Sequence, residues 1–384
     1  MKLKPHQLKA SKKASMILSK KKLCYVFGPP RVGKSLIALE TMKDFKSVIV
    51  LTKKNAIEGW TKYLGTFTNF EVINYEKIPK VNPEKYDAVI IDEAHNFGSR
   101  PKASLRCKLT HKFCKDKALL LLSGTPFIET PLSIFHQFYL SSYSPFREFK
   151  NFYEFFKTFG LPDLTYAAGR RFESYTKSKP ELLTVIEDYV VKVSYEDAGF
   201  KYQNYDVCEY IESFEWLKQY SNVRSSGLLG SLPLESSSMM YQALHQFEGG
   251  TYKDGRIFKL RPKVDWLVKY CEEHKDKKIA VMSYFKAEQS FLDSLKLKNT
   301  KVFSSSKYCE GVDLSHFDVY ILYSFGYSGA KFVQLRDRIV NIMKDKETHV
   351  IIPLVKGGLC EKIYQCVSNK KDFNSSVYRS IERD

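Results

Sequence analysis

The chain has 384 residues, of which 61 are Lys or Arg and 43 are Asp or Glu, so its formal net charge at pH 7 is +18. Hydrophobic residues make up 43% of the chain and aromatic residues 14%, enough for two packed cores, which excludes a disordered tail protein. The longest apolar runs, such as 118–122, are far shorter than the roughly 18 residues that cross a bilayer. We therefore expect a soluble chain whose positive charge attracts a polyanion, most commonly nucleic acid.

Short apolar runs alternate with polar, helix-like segments over residues 1–126. Runs rich in aliphatic and β-branched residues predict strands at 23–27, 47–52, 71–74, 88–91 and 118–123. Strands that alternate with helices in this way are typical of a parallel, doubly wound sheet with helices on both faces. We therefore predict one α/β lobe over 1–126.

The pattern changes between residues 127 and 255, where aromatic residues become frequent. Residues 135–159 contain eleven Phe or Tyr, and those from Phe146 to Phe159 recur every three or four residues, which predicts one face of a helix. We interpret this face as core packing in preference to a base-stacking surface. The Ser-, Gly- and Leu-rich segment 225–238 is predicted to be a flexible connection, so 127–255 is predicted to be a helical insert.

The α/β pattern returns over residues 256–384. Apolar runs there predict strands at 278–282, 300–303, 319–323 and 349–353. A second α/β lobe is therefore predicted after the insert.

A phosphate-binding loop is predicted directly after the first strand. The segment 28–35, Gly-Pro-Pro-Arg-Val-Gly-Lys-Ser, matches G-x-x-x-x-G-K-[ST] at every defined position and lies between a predicted strand and a predicted helix. Backbone amides of such a loop surround nucleotide phosphates, its lysine neutralises the β and γ oxygens, and its Ser holds Mg²⁺. The predicted ATP-binding residues of the loop are Gly28, Pro29, Pro30, Arg31, Val32, Gly33, Lys34 and Ser35.

Two acidic residues follow the predicted strand 88–91. Asp92 is placed to join the Mg²⁺ shell, and Glu93 is placed to orient or deprotonate an attacking water. An acidic pair after a strand is often only a solvated loop. Together with the phosphate-binding loop it predicts nucleotide hydrolysis, with Lys34 and Glu93 as catalytic residues.

The tetrapeptide Asp92-Glu-Ala-His95 makes the chain similar to DEAH-box members of helicase superfamily 2, whose ordered motifs can be followed over about residues 3–341. The segment 122–126, Leu-Ser-Gly-Thr-Pro, resembles motif III in the form typical of the Snf-type DNA-translocase branch. The resemblance implies an α/β fold class, with two RecA-like doubly wound parallel-sheet lobes and an aromatic-rich helical insert between them. It also implies ATP and Mg²⁺ as cofactors.

The resemblance further implies roles for individual residues. Segment 3–7 resembles the Q motif, so Gln7 contacts the adenine. In segment 334–338, which resembles motif VI, Gln334 binds nucleotide, and Arg336 and Arg338 act as fingers on the γ-phosphate. Segments 49–53, 73–76, 279–284 and 310–314 resemble motifs Ia, Ib, IV and V, with Ser305 in the place of the usual motif V threonine. The nucleic-acid contacts that these motifs imply are Thr52, Lys53, Asn74, Tyr75, Ser283 and Ser305. The implied coupling residues, which link hydrolysis to lobe movement, are His95, Ser123, Thr125, Gly311 and Asp313.

The segment resembling motif VI departs from the family pattern at two positions. Asn341 stands where motif VI has its second arginine, and Asp337 stands where a glycine precedes Arg338. A weaker arginine finger implies slow hydrolysis, unless Arg336 supplies the missing charge. Only about 20 residues separate the segments resembling motifs IV and V, whereas an extra strand-helix unit needs about 25 or more, so the second lobe looks trimmed.

Other constellations favour ordinary explanations. Cys107, His111 and Cys114 have a spacing that allows three metal ligands, but no fourth ligand follows at zinc-finger distance, so free thiols are favoured. The lysines at 20–22 are interpreted as a solvated face in preference to a nucleic-acid contact. Eight cysteines without a CxxC pair, and a lysine-rich start without a signal-peptide core, predict an intracellular location in the cytoplasm or nucleus.

The sequence thus predicts a nucleic-acid-dependent ATPase that moves along double-stranded DNA, with specificity supplied by the insert or by a protein partner. A strand-separating DNA or RNA helicase is the alternative with the same fold. A weakly hydrolysing, ATP-controlled nucleic-acid clamp is the alternative of another class, and it is suggested by Asn341 and the trimmed second lobe. The Lys-, Asn- and Ser-rich composition suits a viral or phage protein.

Overall fold

A computed structural model gives the fold and describes residues 3–65, 67–127, 130–167, 170–199, 204–305, 314, 316–337, 348–369 and 373. The chain divides into two compact units, Met1–Phe200 and Lys201–Asp384. Residues 127–200 of the predicted insert therefore belong to the first unit, and residues 201–255 belong to the second. Among the helices that the structure describes, none has the length and apolar character needed to cross a membrane.

The first unit is built on a parallel sheet. Its strands in chain order are β1 (Leu23–Phe27), β2 (Val48–Thr52), β3 (Phe70–Asn74), β4 (Ala88–Ile91) and β5 (Ala118–Ser123), then the antiparallel hairpin β6 (Asp163–Ala167) and β7 (Arg170–Ser174), and β8 (Val190–Lys192). The spatial order of the parallel sheet is β3-β2-β4-β5-β1-β8. Its inner strands are buried on both faces, which is why they are continuous apolar runs.

Helices cover both faces of this sheet. They are α1 (Pro5–Lys21), α2 (Lys34–Met42), α3 (Ile57–Leu64), α4 (Leu105–Cys114), α5 (Ile134–Phe138), α6 (Phe152–Phe159) and α7 (Glu181–Glu187). Short 3₁₀ turns lie at Lys54–Ala56, Tyr75–Lys80, Pro83–Lys85, Ala94–Phe97 and Pro131–Ser133. Helices α1 to α3 pack on one face through residues such as Ala14, Ile37 and Trp60, and α4 to α7 pack on the other. The predicted doubly wound arrangement is confirmed.

The aromatic residues predicted to line one helix pack together, but they do not lie on a single helix. Phe146 and Phe149 precede α6, because the Asn151 side chain accepts two backbone N–H groups of the first turn and so starts the helix there. The fully buried Phe155 ring has its centroid 4.7 Å from that of Phe135 and 4.9 Å from that of Phe146. The interpretation of these aromatic residues as core packing is therefore confirmed. The prediction that they lie on a single helix is wrong.

The second unit contains a second parallel sheet. Its strands are β9 (Asn204–Ile211), the small hairpin β10 (Leu228–Leu229) and β11 (Leu232–Pro233), then β12 (Ile279–Ser283), β13 (Thr300–Ser304), β14 (Val319–Leu322) and β15 (Thr348–Val355). The parallel sheet has the order β13-β12-β14-β15-β9. Its helices are α8 (Phe214–Ser226), α9 (Ser237–Glu248), α10 (Pro262–Glu273), α11 (Lys286–Ser294), α12 (Gly329–Asp337) and α13 (Leu359–Val367). The predicted second α/β lobe is confirmed.

The segment predicted to be a flexible connection has regular structure. Helix α8 continues to Ser226, the β10–β11 hairpin follows, and Ser236 caps α9 by accepting the backbone N–H of Met239. Serine and glycine are frequent here because they form helix caps and tight turns. The prediction of a flexible connection is therefore wrong, because the serine and glycine residues on which it is based form caps and turns.

Candidate nucleotide-binding site

Residues 28–33 form a loop between β1 and α2, and Lys34 and Ser35 begin α2, so the predicted order of strand, loop and helix is present. Gly33 is the N-cap of α2 and has φ = +86°, where a Cβ would lie 2.1 Å from Gln7 Nε2. Glycine is therefore required at this position by both backbone conformation and close packing. Gly33 brings no side chain to cap α2, and the first-turn N–H groups of a helix are a typical site for an anion such as a phosphate.

The ammonium group of Lys34 lies inside this loop. Its Nζ donates to the carbonyl oxygen of Gly28 at 2.6 Å and to that of Pro29 at 2.9 Å. The end of β5 meets the same place, because the N–H of Gly28 donates to the Ser123 carbonyl at 3.1 Å. A Cβ on Gly124 would lie 3.7 Å from Lys34 Nζ. Residues predicted to bind phosphate and residues predicted to couple hydrolysis to movement are thus neighbours.

The start of α1 packs against the loop. His6 Nε2 lies 3.0 Å from the Val32 carbonyl oxygen, and the buried Gln7 accepts the backbone N–H of Lys4 through Oε1 at 2.9 Å. The exposed Arg31 has φ = +66°. The predicted adenine contact of Gln7 stays a prediction, but the structure places this side chain beside the phosphate-binding loop.

Asp92 follows β4, two strands away from β1, and three side chains donate hydrogen bonds to it. Thr52 Oγ1 and Trp60 Nε1 both donate to Asp92 Oδ2, at 2.8 Å and 2.9 Å, and the Tyr75 hydroxyl donates to the Asp92 carbonyl oxygen. Burial and the adjacent Glu93 carboxylate raise the pKa of Asp92, while the bonds from Trp60 and Thr52 and the Lys34 ammonium oppose this rise. The carboxylate therefore interacts electrostatically with the phosphate-loop lysine.

Glu93 and His95 connect Asp92 to the end of β5. Glu93 has φ = +53°, a left-handed conformation that non-glycine residues adopt mainly at functional sites and turns. His95 Nδ1 lies 3.2 Å from Glu93 Oε2 and 2.8 Å from Ser123 Oγ. Ser123 Oγ in turn accepts the backbone N–H of Thr125 at 3.0 Å. The structure therefore brings the proposed base and three predicted coupling residues into one connected chain of contacts.

These residues fit a nucleotide with Mg²⁺. The uncapped start of α2 and the Lys34 ammonium suit phosphate oxygens, and a serine hydroxyl with a carboxylate suits a hard cation that retains several waters. Ser35, in the first turn of α2, and Asp92 are the residues that would hold the metal. Among the described residues no three or more His, Cys, Asp or Glu side chains are grouped so that they could hold a metal ion by themselves.

The predicted nucleic-acid contacts occupy varied positions. Thr52, Tyr75 and Ser283 are buried, and their hydroxyl groups donate to protein acceptors. Asn74 accepts the backbone N–H of the following 3₁₀ turn, while Lys53 is half-buried at the end of β2. The remaining predicted contact, which lies buried just after β13, is Ser305. Their roles toward nucleic acid stay predictions.

The predicted motif VI residues fall partly outside the described residues. Arg336 lies on α12, and its Nη1 is 3.4 Å from Asp206 Oδ2, an oxygen that also accepts the Tyr364 hydroxyl at 3.1 Å. The backbone of Gln334 lies on the same helix. Three predicted residues lie outside the described ranges, namely Gly311, Asp313 and Arg338. Asn341, where the family has an arginine, also lies outside them.

Cys107 and Cys114 are buried thiols on α4. Cys107 Sγ lies 3.6 Å from the His136 carbonyl oxygen, and Cys114 Sγ lies 2.9 Å from that of Thr110. His111 is held by the Tyr139 carbonyl oxygen at 2.6 Å from Nδ1. Burial raises the pKa of both thiols, which favours their protonated form over a metal-binding thiolate.

A buried polar network lies in the second unit. Glu288 is fully buried and accepts the hydroxyl groups of Ser283, at 2.6 Å, and Ser324. Lys263 is also fully buried, with Nζ 3.6 Å from Cys360 Sγ. Ser283, predicted as a phosphate contact, is thus oriented by a buried carboxylate.

We expect the second unit to lose stability in acid because of His245, a buried residue of α9. Burial and the Lys263 ammonium lower its pKa to about 3. Below about pH 6.5 the unfolded chain therefore binds a proton that the folded unit excludes, so stability falls by up to about 1.4 kcal/mol per pH unit as pH drops towards 3. Urea unfolding between about pH 6 and pH 4 should show this loss, and His245→Gln, which does not titrate, should reduce the slope. Equal slopes in both proteins would contradict the prediction.

Trp60 is the site residue that sequence reasoning missed. It lies in the middle of α3, is 3% exposed, and contributes its indole N–H to the predicted metal carboxylate. The only signal in the sequence is a tryptophan in a short amphipathic segment after β2. Nothing in its spacing from Asp92 indicates the contact.

No protein-family model matches the chain. No curated protein matches it either. Among solved structures it is similar to the Sulfolobus solfataricus SWI2/SNF2 ATPase core in complex with dsDNA, with 17% sequence identity and a TM-score of 0.46. The similarity covers 99% of this chain and 93% of that chain.

Proposed function

We propose that the protein is a nucleic-acid-dependent ATPase that translocates on double-stranded DNA with Snf-type mechanics. The observation that supports this proposal best is the edge of the first sheet. There the neighbouring strands β4, β5 and β1 end at Asp92–Glu93, at Ser123–Gly124 and at the loop 28–35. A phosphate-binding loop, a metal carboxylate and a general base are the parts that phosphoryl transfer to water requires.

Each group has a definite chemical task in this proposal. Lys34 and the first-turn amides of α2 bind and neutralise the phosphates, and Ser35 and Asp92 hold the metal ion. Ser35 and Asp92 would place Mg²⁺ beside the phosphates, where it would supply positive charge that offsets the charge developing on the transferred group. Glu93 takes the proton of the attacking water, and His95 transmits the state of Glu93 to Ser123.

The polymer is proposed from charge. A net charge of +18 favours a polyphosphate partner, and contacts to phosphate predict binding that tolerates sequence and weakens with salt. The exposed Lys54, Lys62 and Lys77, on segments next to Asp92, are cations available for such contacts.

Steady-state ATP hydrolysis at one low salt concentration tests the proposal, without polymer and with duplex DNA, single-stranded DNA or RNA. We expect duplex DNA to raise turnover at least about tenfold, equivalent to about 1.4 kcal/mol. Glu93→Gln should abolish the stimulated rate, since loss of a general base costs about 10²–10⁴-fold. Displacement of a triplex-forming strand then tests translocation directly. Stimulation only by single strands or RNA would replace the translocase with a strand-separating helicase.

A weakly hydrolysing clamp is the second candidate. The ion pair between Arg336 and Asp206 favours it, because this arginine is engaged by a carboxylate of its own unit. The clamp predicts tight ATP binding with turnover that no polymer raises. Restoring arginine by Asn341→Arg should then increase hydrolysis.

A further inference from the structure

Asp92 accepts hydrogen bonds from three side chains that belong to three different elements. Thr52 is the last residue of β2, Trp60 is in α3, and Tyr75 begins the 3₁₀ turn after β3. All three side chains are buried, with 1%, 3% and 4% of their surface exposed. The body of Trp60 packs in the core formed by α1, α2 and the sheet, so its N–H is a fixed donor.

The two donors that bond to the carboxylate of Asp92, rather than to its backbone, share one carboxylate oxygen. Thr52 and Trp60 both end on Oδ2, and neither donates to Oδ1. Two neutral donors on one oxygen restrict rotation of the carboxylate and leave Oδ1 as the oxygen available to a metal ion. Groups that orient a metal ligand in this way typically change metal affinity or activity by about 10- to 100-fold when removed.

The backbone of Asp92 is held separately. The Tyr75 hydroxyl donates to the Asp92 carbonyl oxygen, which belongs to the peptide that precedes Glu93. Because Glu93 has φ = +53°, a fixed orientation of this peptide helps to maintain the left-handed conformation that directs the Glu93 side chain. The metal ligand and the general base are therefore both oriented from outside β4.

The segments that hold Asp92 also carry exposed cations. Lys54 follows Thr52, Lys62 is one half-turn beyond Trp60, and Lys77 lies in the turn that Tyr75 begins. Lys62 Nζ is paired with Glu58 at 3.0 Å on the surface, a contact that a phosphate can replace at little cost. A polymer bound to these lysines would restrain α3 and the turn, and with them would hold the donors to Asp92 in place.

We propose that Trp60, with Thr52 and Tyr75, is a positioning residue that couples a polyphosphate bound at α3 and the following turn to the metal-binding geometry of Asp92. The coupling rests on the proposed function. Its consequence is that Mg²⁺ contributes more to nucleotide binding when duplex DNA is bound.

The test measures binding of a fluorescent, non-hydrolysable ATP analogue to the full chain in Mg²⁺ and in EDTA, with and without duplex DNA. The Kd in EDTA divided by the Kd in Mg²⁺, called the ratio below, reports how much the metal contributes to binding. It can be measured without turnover. Trp60→Phe and Thr52→Val each remove one donor while keeping most of the packing. We expect each to lower the ratio about tenfold and to leave the Kd in EDTA unchanged.

Matched variants separate positioning from stability. Thr52→Ser keeps the hydroxyl and should retain the wild-type ratio. Thr61→Val removes a hydroxyl from the exposed face of α3 that bonds only to the Ile57 carbonyl, so it should also leave the ratio unchanged. In the wild type duplex DNA should raise the ratio, whereas in Trp60→Phe and Thr52→Val it should not.

Two results would overturn the inference. The first is a wild-type Kd that does not depend on Mg²⁺, and the second is an unchanged ratio in Trp60→Phe and Thr52→Val, including the case in which binding weakens equally in Mg²⁺ and in EDTA. An equal DNA effect on the ratio in wild type and variants would remove the coupling. Failure of the proposed function looks different, because no polymer would then stimulate hydrolysis. Polymer-stimulated hydrolysis with an unchanged ratio in the variants would refute the positioning role alone.

Discussion

Replacing Lys34 by Ala is expected to lower ATP turnover by about 10²–10³-fold, the usual effect of removing one donor that stabilises developing charge. The Lys34 ammonium is the cation that the structure places inside the loop 28–35, on the carbonyl oxygens of Gly28 and Pro29. Its loss removes both the charge that neutralises phosphate and the contacts that shape the loop. We therefore expect weaker nucleotide binding as well as slower hydrolysis.

The measurement is steady-state hydrolysis together with binding of a fluorescent ATP analogue. Lys43→Ala is the matched control, because Lys43 follows the end of α2 and pairs on the surface with Glu40 at 2.7 Å. That change should leave both quantities within about twofold, since exposed ion pairs contribute little. Lys34→Ala with undiminished turnover would refute the assignment of the loop.

The second large effect is expected on stability, at the buried Glu248. This residue ends α9, is fully buried, and accepts the backbone N–H of Val355 at 3.2 Å and that of Cys360 at 2.9 Å. Gly358, the N-cap of α13, supplies no side chain, so the Glu248 carboxylate caps this helix from another element. Glu248→Ala should cost about 3–5 kcal/mol, because each orphaned N–H costs about 1–3 kcal/mol and the truncation leaves a cavity.

Urea unfolding followed by tryptophan emission measures this loss, since Trp216 and Trp266 both belong to the second unit. Glu248→Gln keeps an acceptor in place and should lose less than Glu248→Ala. The matched surface change is Glu212→Ala, which breaks an exposed pair with Lys356 and should cost no more than about 1 kcal/mol. If Glu248→Ala were as stable as Glu212→Ala, the carboxylate would not be a structural cap.

The sequence by itself determined the elements that depend on local pattern. Strands buried on both faces are continuous apolar runs, so β1, β4 and β5 are visible in the sequence almost to the residue. The phosphate-binding loop is equally local, because its chemistry requires glycine, lysine and a hydroxyl at fixed spacing after a strand. The acidic pair after β4 follows from the same logic, since carboxyl ends of neighbouring parallel strands share one edge of the sheet.

Tertiary structure decided what depends on contacts between distant segments. The start of α6 at Asn151, rather than near Phe146, reflects a cap that outweighs aromatic periodicity. β8 and β9, from the predicted insert, pair with β1 and β15 and extend the two sheets. Thr52 and Tyr75, which the sequence predicts as nucleic-acid contacts, donate their hydroxyl groups to Asp92, and so does the indole N–H of Trp60. Spacing along a chain determines which residues share a helix face or a strand end, but only folding determines which donor reaches a buried carboxylate from another element.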